Sequence, residues 1–187
     1  MNRSIRRHAA QGFTLIELLI VVIIIAILAA IAIPQFANTS NDAQTSALSA
    51  NLSTMRSAIE LYRVQHKNVY PSVAASNAAV DTCTGTKGSA AANDPAAFTQ
   101  QLTMFSDAVG NTCSVHVDKF IYGPYLRAIP MEQISNPAKN DVVIISSNAQ
   151  DPAPSDTTGG YQFDNRTGRL VMNSNAKDQR GVVYSTY

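Results

Sequence analysis

Sixteen consecutive apolar residues, Leu18 to Ile33 (LLIVVIIIAILAAIAI), constrain this chain more than any other feature. With Phe13, Leu15 and Ile16 the hydrophobic length reaches about twenty residues, roughly 30 Å as a helix, which matches the core of a bilayer. Beyond residue 37 the sequence is rich in Ala, Ser, Asn, Thr and Asp. One segment is therefore made for a different solvent from the rest. Arg3, Arg6 and Arg7 precede the run, and no acid occurs before Glu17. Basic residues beside a span hold that end in the cytoplasm. The whole chain carries a net charge of +1, which gives no electrostatic footprint for nucleic acid.

Three kinds of segment compete for this run. A secretory signal peptide is cleaved after its apolar region, beside small residues, and Ala29, Ala30 and Ala32 keep that option open. A plain membrane anchor has the right length. Neither has a use for Glu17, an acid inside the apolar stretch, which costs about 2.5–3.5 kcal/mol at mid-membrane and less near the interface. Intramembrane acids usually have a function and a partner.

The run Gly12-Phe13-Thr14-Leu15-Ile16-Glu17, with the apolar helix and Pro34 after it, resembles the type IV prepilin family. The resemblance implies a basic leader, residues 1–12, cut between Gly12 and Phe13 by a membrane prepilin peptidase that then methylates the new amino group of Phe13. The apolar segment, residues 13–36, stays on the mature chain as the membrane-spanning and filament-core half of a long helix. Removing the leader's three arginines leaves eleven basic residues against thirteen acidic. The new α-ammonium lies one helical turn from Glu17. When subunits pack side by side, Glu17 of one neutralises Phe13 of another, and an unpaired charge there is strongly penalised. Ala26, where many relatives carry Gly, is a mild departure.

Past the apolar run the helix is expected to continue through Pro34, which removes one backbone hydrogen bond and kinks it. Leu48, Leu52, Met55, Ile59 and Tyr62 recur at alternating spacings of four and three, an amphipathic stripe for the chain's own core. Residues 37–70 thus form the second half of one helix running from Phe13 to Val69, on the order of 85 Å, and ending before Pro71.

Residues 71–187 form the head. Cys83 and Cys113 follow the span in polar, loop-like sequence. The reading is one disulfide made in an oxidising compartment, the alternative two unpaired thiols. Between them Asp94-Pro95 is an N-cap followed by proline, and Phe98, Leu102, Phe105 and Val109 predict a helix up to Gly110-Asn111. Residues 120–137 predict a short turn-rich helix flanked by prolines. Val142–Ile145, Tyr161–Asp164 and Arg169–Asn173 are strand candidates, the last two joined by Asn165-Arg-Thr-Gly168 as a hairpin. Val182–Tyr184 adds a candidate edge strand. The fold class is α+β: a pilin-like ladle whose long N-terminal helix packs on a small antiparallel β-sheet.

The segments Tyr70-Pro71, Gly123-Pro124-Tyr125-Leu126, Asn136-Pro137 and Gly160 to Gly168 resemble G-type pseudopilins of type II secretion. That group often binds calcium through an acidic C-terminal loop. The matching stretch, Asn173 to Asp178, has one carboxylate and a lysine, short of what calcium prefers, so no metal and no cofactor is expected.

No catalytic constellation stands out. His8, His66 and His116 lack metal-ligand spacing, and Gly85-Thr-Lys-Gly-Ser89 lacks the spacer of a P-loop. Asn165-Arg-Thr fits a glycosylation sequon. Asp151 to Asp156 reads as a solvated turn.

The expected role is structural and non-enzymatic: a subunit of a type II secretion pseudopilus, the alternative being a major or minor pilin of a type IV pilus. By resemblance, its partners are copies of itself, the prepilin peptidase, an inner-membrane assembly platform, a cytoplasmic assembly ATPase, and membrane lipid before assembly. The expected location is the inner membrane, single-pass, with the head in the periplasm.

Overall fold

The structure is a computed structural model and describes residues 13–77, 83–147, 152–154 and 158–187. Gly12, the leader arginines, His8, Asp151 and Asp156 lie outside the described residues. The chain divides into two units, one ending at Ser40 and one spanning Asn41–Tyr187.

Helix α1 (Leu15–Gln65) contributes to both units. In the first, Leu18, Ile20, Ile25, Ile31 and Ile33 are all exposed, and Pro34 lies inside the helix. In the second, the predicted stripe is the core. Leu48, Leu52, Met55, Ile59 and Tyr62 are buried, packed with Phe98, Leu102, Tyr161, Phe163, Leu170 and Met172. The helix ends four residues before the predicted Val69. Lys67 and Asn68 adopt left-handed φ values of 55° and 65°, and the Asn68 N–H donates back to the Arg63 carbonyl at 2.9 Å, a helix-ending geometry.

Helix α2 (Pro95–Thr103) starts as predicted, with the Ala96 N–H donating to the Asp94 carboxylate at 2.7 Å. It stops well before Gly110. Ser106 pairs through its main chain with Tyr122 in both directions, and the Asp107 carboxylate accepts from the N–H groups of Val109, Gly110 and Asn111. Such local side-chain bonds compete with helix, so Val109, predicted on the buried face, is exposed. Strands β1 (Phe105–Ser106) and β2 (Thr112–Cys113) pair antiparallel there.

Cys83 and Cys113 form a disulfide with Cα atoms 5.8 Å apart. With Phe120 they make a second small core, against which Phe105 and Val117 pack. Residues 120–137 hold no helix; they run as extended stretches broken by bends, with cis bonds at Gly123-Pro124 and Asn136-Pro137. Pro124, Pro130 and Pro137 each remove a donor and disfavour helix in the preceding residue, leaving no window long enough for one.

The main sheet has the order β3 (Val142–Ile145), β4 (Tyr161–Asp164), β5 (Leu170–Met172). The β4–β5 hairpin is antiparallel as predicted, and Gly168 in its turn has a φ of +77°. β3 instead joins β4 in parallel, with Val142 opposite Tyr161. The connection 146–160 is long enough to return the chain to the same end, as a parallel crossover requires, so the expected antiparallel sheet is mixed.

Val182–Tyr184 gives one bridge, Lys177 to Val183, followed by a 3-10 turn at Tyr184–Thr186. Val182 donates its N–H to the Asp178 carboxylate and accepts from the Asp178 N–H, which commits its backbone locally. Arg56 of α1 ties this end down, its Nη2 donating to the carbonyls of Leu170 at 2.8 Å and Tyr187 at 2.5 Å.

Candidate assembly segment

The segment begins at Phe13, which is exposed. Thr14 precedes the first helical residue, and its hydroxyl accepts from the Glu17 N–H at 3.3 Å. In return the Glu17 carboxylate accepts from the Thr14 N–H at 2.9 Å and the Thr14 hydroxyl at 2.7 Å. This reciprocal arrangement is a capping box, and it satisfies donors that a helix start leaves open. Reading for charge alone passes over Thr14. The four-residue pattern Thr-Leu-Ile-Glu was the available signal.

From Leu18 to Ile33 the large apolar side chains find no cover among the described residues. The most apolar window of α1 is wholly uncovered. Leu19, Val22, Ile23, Ile27 and Leu28 are each at least half exposed. A soluble domain does not leave so long an apolar surface bare. Hydrocarbon or other apolar helices are the environments in which it is stable.

The head offers little chemistry. A groove of about 580 Å³ runs beside α2 and the start of β3. It holds one acid, Asp141, and one base, Arg127, with no histidine or cysteine. Its Thr99 and Thr103 hydroxyls donate to the Pro95 and Thr99 carbonyls. Among the described residues no three or more His, Cys, Asp or Glu side chains gather as metal ligands do. The Asp178 carboxylate is occupied by donors: Tyr187 Oη at 2.6 Å, Arg180 Nε at 2.9 Å, and the N–H groups of Arg180 and Val182. The Tyr187 hydroxyl foremost, with these others, lowers its pKa to about 2.

The remaining sequence candidates are structural. Gly85 and Gly88 lie close against β2 and its flank, where a Cβ would meet Ser114 Oγ and Thr112 Oγ1. The two glycines thus serve close approach to β2. Asn165 is buried, its amide donating to Asn93 Oδ1 at 2.8 Å, so in the folded head its side chain serves packing. The His116 ring meets the Phe105 ring edge-on, 5.4 Å between centroids.

Residues 7–33 match the family model of the prokaryotic N-terminal methylation motif. The type IV major fimbrial protein FimA of Dichelobacter nodosus is 41% identical over 105 residues, 54% of this chain and 67% of FimA. The chain belongs to the type IV pilin and pseudopilin family. The type IV narrow pilus major component PilA5 of Thermus thermophilus is 45% identical over 60 residues, 32% of this chain and 52% of PilA5. The type II secretion system core protein G of Pseudomonas aeruginosa is 32% identical over 67 residues, 36% of this chain and 46% of that protein. The chain thus spans two thirds of one relative and about half of the other two. No solved structure matches. Members of this pilin family are structural subunits and not enzymes.

Proposed function

We propose that this chain is a subunit of a type IV pilus, inserted first in the inner membrane with its head in the periplasm and then polymerised through the apolar half of α1. The observation that carries the choice of filament is the reach of the FimA similarity. A match over 105 residues cannot fit within the helix and its leader, which end at Gln65, so it includes part of the head. The match to core protein G, over 67 residues, is barely longer than that segment. Subunit of a secretion pseudopilus is the second reading, favoured by the head segments around Gly123-Pro124-Tyr125 and Gly160 to Gly168.

In the proposed pathway prepilin peptidase cuts between Gly12 and Phe13 and methylates Phe13. The apolar helix then waits in lipid. An inner-membrane platform and a cytoplasmic ATPase move it into the filament, where copies cover each other's bare side chains. Glu17 of one subunit meets the Phe13 ammonium of its neighbour, which sets register more than it adds net stability. Deleting the gene separates the two readings. Loss of shearable surface fibres with secretion intact supports the pilus, and loss of secretion with fibres intact supports the pseudopilus.

A further inference from the structure

His66 follows α1 directly and continues its buried face, four residues after Tyr62. The residue is 2% exposed. Its ring stacks on Tyr62, with centroids 3.7 Å apart and planes 7° from parallel, and meets Tyr122 and Tyr125 edge-on at 5.2 and 6.3 Å. Nδ1 lies 2.8 Å from the Tyr62 carbonyl oxygen and Nε2 lies 3.1 Å from Ser106 Oγ. A carbonyl only accepts, so Nδ1 carries the proton and Nε2 accepts from the Ser106 hydroxyl. Ser106 is itself buried in β1, paired with Thr112 of β2 and with Tyr122. One imidazole therefore joins the end of α1 to the disulfide-closed insertion.

We propose that His66 is an acid-sensitive joint: protonating Nε2 releases the insertion, residues 105–122, from the end of α1 while the β3–β4–β5 sheet stays in place on the helix. A proton on Nε2 turns an acceptor into a donor, so the Ser106 hydroxyl must rotate to accept from it, and the new charge lies on a ring shut away from water. Three groups of tyrosine character face the ring: Tyr62 from α1, and Tyr122 and Tyr125 from the extended segment. Asp107, next to β1, acts on it as a carboxylate, although that carboxylate is already bonded to Val109, Gly110 and Asn111. Burial opposes an imidazolium, while the Tyr62 carbonyl, the Asp107 main chain and the Asp107 carboxylate favour it. Burial outweighs them and holds the imidazole below its usual value of 6.5.

The sign follows by linkage. The folded value is lowered, so closure is complete above about pH 6.5, the value of a released histidine. As pH falls below that, the released form gains at most about tenfold per pH unit until the folded value is reached. The main sheet has no histidine in its strands and lacks this dependence.

The test is amide hydrogen exchange on the full chain in detergent micelles between pH 7 and pH 5. Rates for peptides covering 105–122 are divided by those for peptides covering 161–172, which removes the pH dependence of exchange itself. The expected result is several-fold loss of relative protection in 105–122 at pH 5, absent in His66→Gln. The unaltered protein supplies a second readout by NMR, in which the His66 imidazole midpoint falls below 6.5 and tracks the exchange change. Equal relative protection at both pH values overturns the proposal, as does a loss that persists in His66→Gln. If that variant does not fold, a His66 midpoint at or above 6.5 overturns it.

Discussion

Glu17 lies four residues from Phe13 and accepts two hydrogen bonds from Thr14. It therefore serves the helix start locally, and in the proposed filament it serves a neighbour's ammonium through its charge. Substitutions separate the two duties. Glu17→Gln keeps an acceptor for the capping box and removes the charge, while Thr14→Ala keeps the charge and removes the cap's partner. We expect Glu17→Gln and Glu17→Ala to be cleaved and membrane-inserted yet missing from sheared filaments, and Thr14→Ala to assemble. Normal incorporation of Glu17→Gln, measured by immunoblot of the sheared fraction, leaves only the capping role. A second residue tests the head. Gly168 has a φ of +77°, and a Cβ there would lie 2.4 Å from the Tyr70 ring. Gly168→Ala is expected to destabilise the chain by about 1–3 kcal/mol, read as a lower urea midpoint in micelles.

Among the elements, those set by spacing and caps were legible in advance. The stripe from Leu48 to Tyr62 is core because its alternating four and three spacing keeps one helix face inward. Asp94 caps α2 because a carboxylate before proline satisfies open N–H groups. What could not be read was decided by bonds between distant residues or by turns that capture a backbone. Ser106 pairs with Tyr122 and ends the helical reading of Phe105 and Val109, and Asp178 takes Val182 out of the sheet. The parallel register of β3 is set by its pairing with β4, a strand distant in sequence, which composition does not encode. In the candidate site, the apolar run and Glu17 announced themselves, while Thr14 was visible only as half of a capping pattern. Two measurements belong to this scale. Asp94→Ala should cost about 1 kcal/mol. Breaking the Cys83–Cys113 link, whose residues are 30 apart in sequence, with Cys113→Ser should cost about 3–4 kcal/mol if the loop-entropy account holds. An unchanged urea midpoint in Cys113→Ser contradicts it.

For the whole molecule, two buried carboxylates, Glu132 and Asp164, contribute to the acid limit of the head beside Asp178. Burial raises the Glu132 pKa, but the Ser135 hydroxyl and the N–H groups of Ser135, Ile134 and Gly160 together outweigh it and hold it below its usual 4.5. Burial likewise opposes the charge on Asp164, and the Arg166 N–H, the Thr167 hydroxyl and the Arg166 guanidinium bring it below 3.8. Both folded values are lowered, so this stabilisation is complete above about pH 4.5 and is lost as pH falls through the folded values. The unfolding temperature should therefore fall below pH 4.5, and the fall should be smaller in Glu132→Gln. This window lies under the pH 5–7 range of His66, so the two acid effects are separable.

The central claim is that the block from Gly12 to Pro34 makes this chain a filament subunit that keeps its apolar helix after processing. Intact-mass and N-terminal peptide mass spectrometry of the protein from its own cells tests it most directly. The account predicts a chain that begins at Phe13 with a methylated amino group. A chain that keeps Met1, or one cut after Ala32, contradicts it.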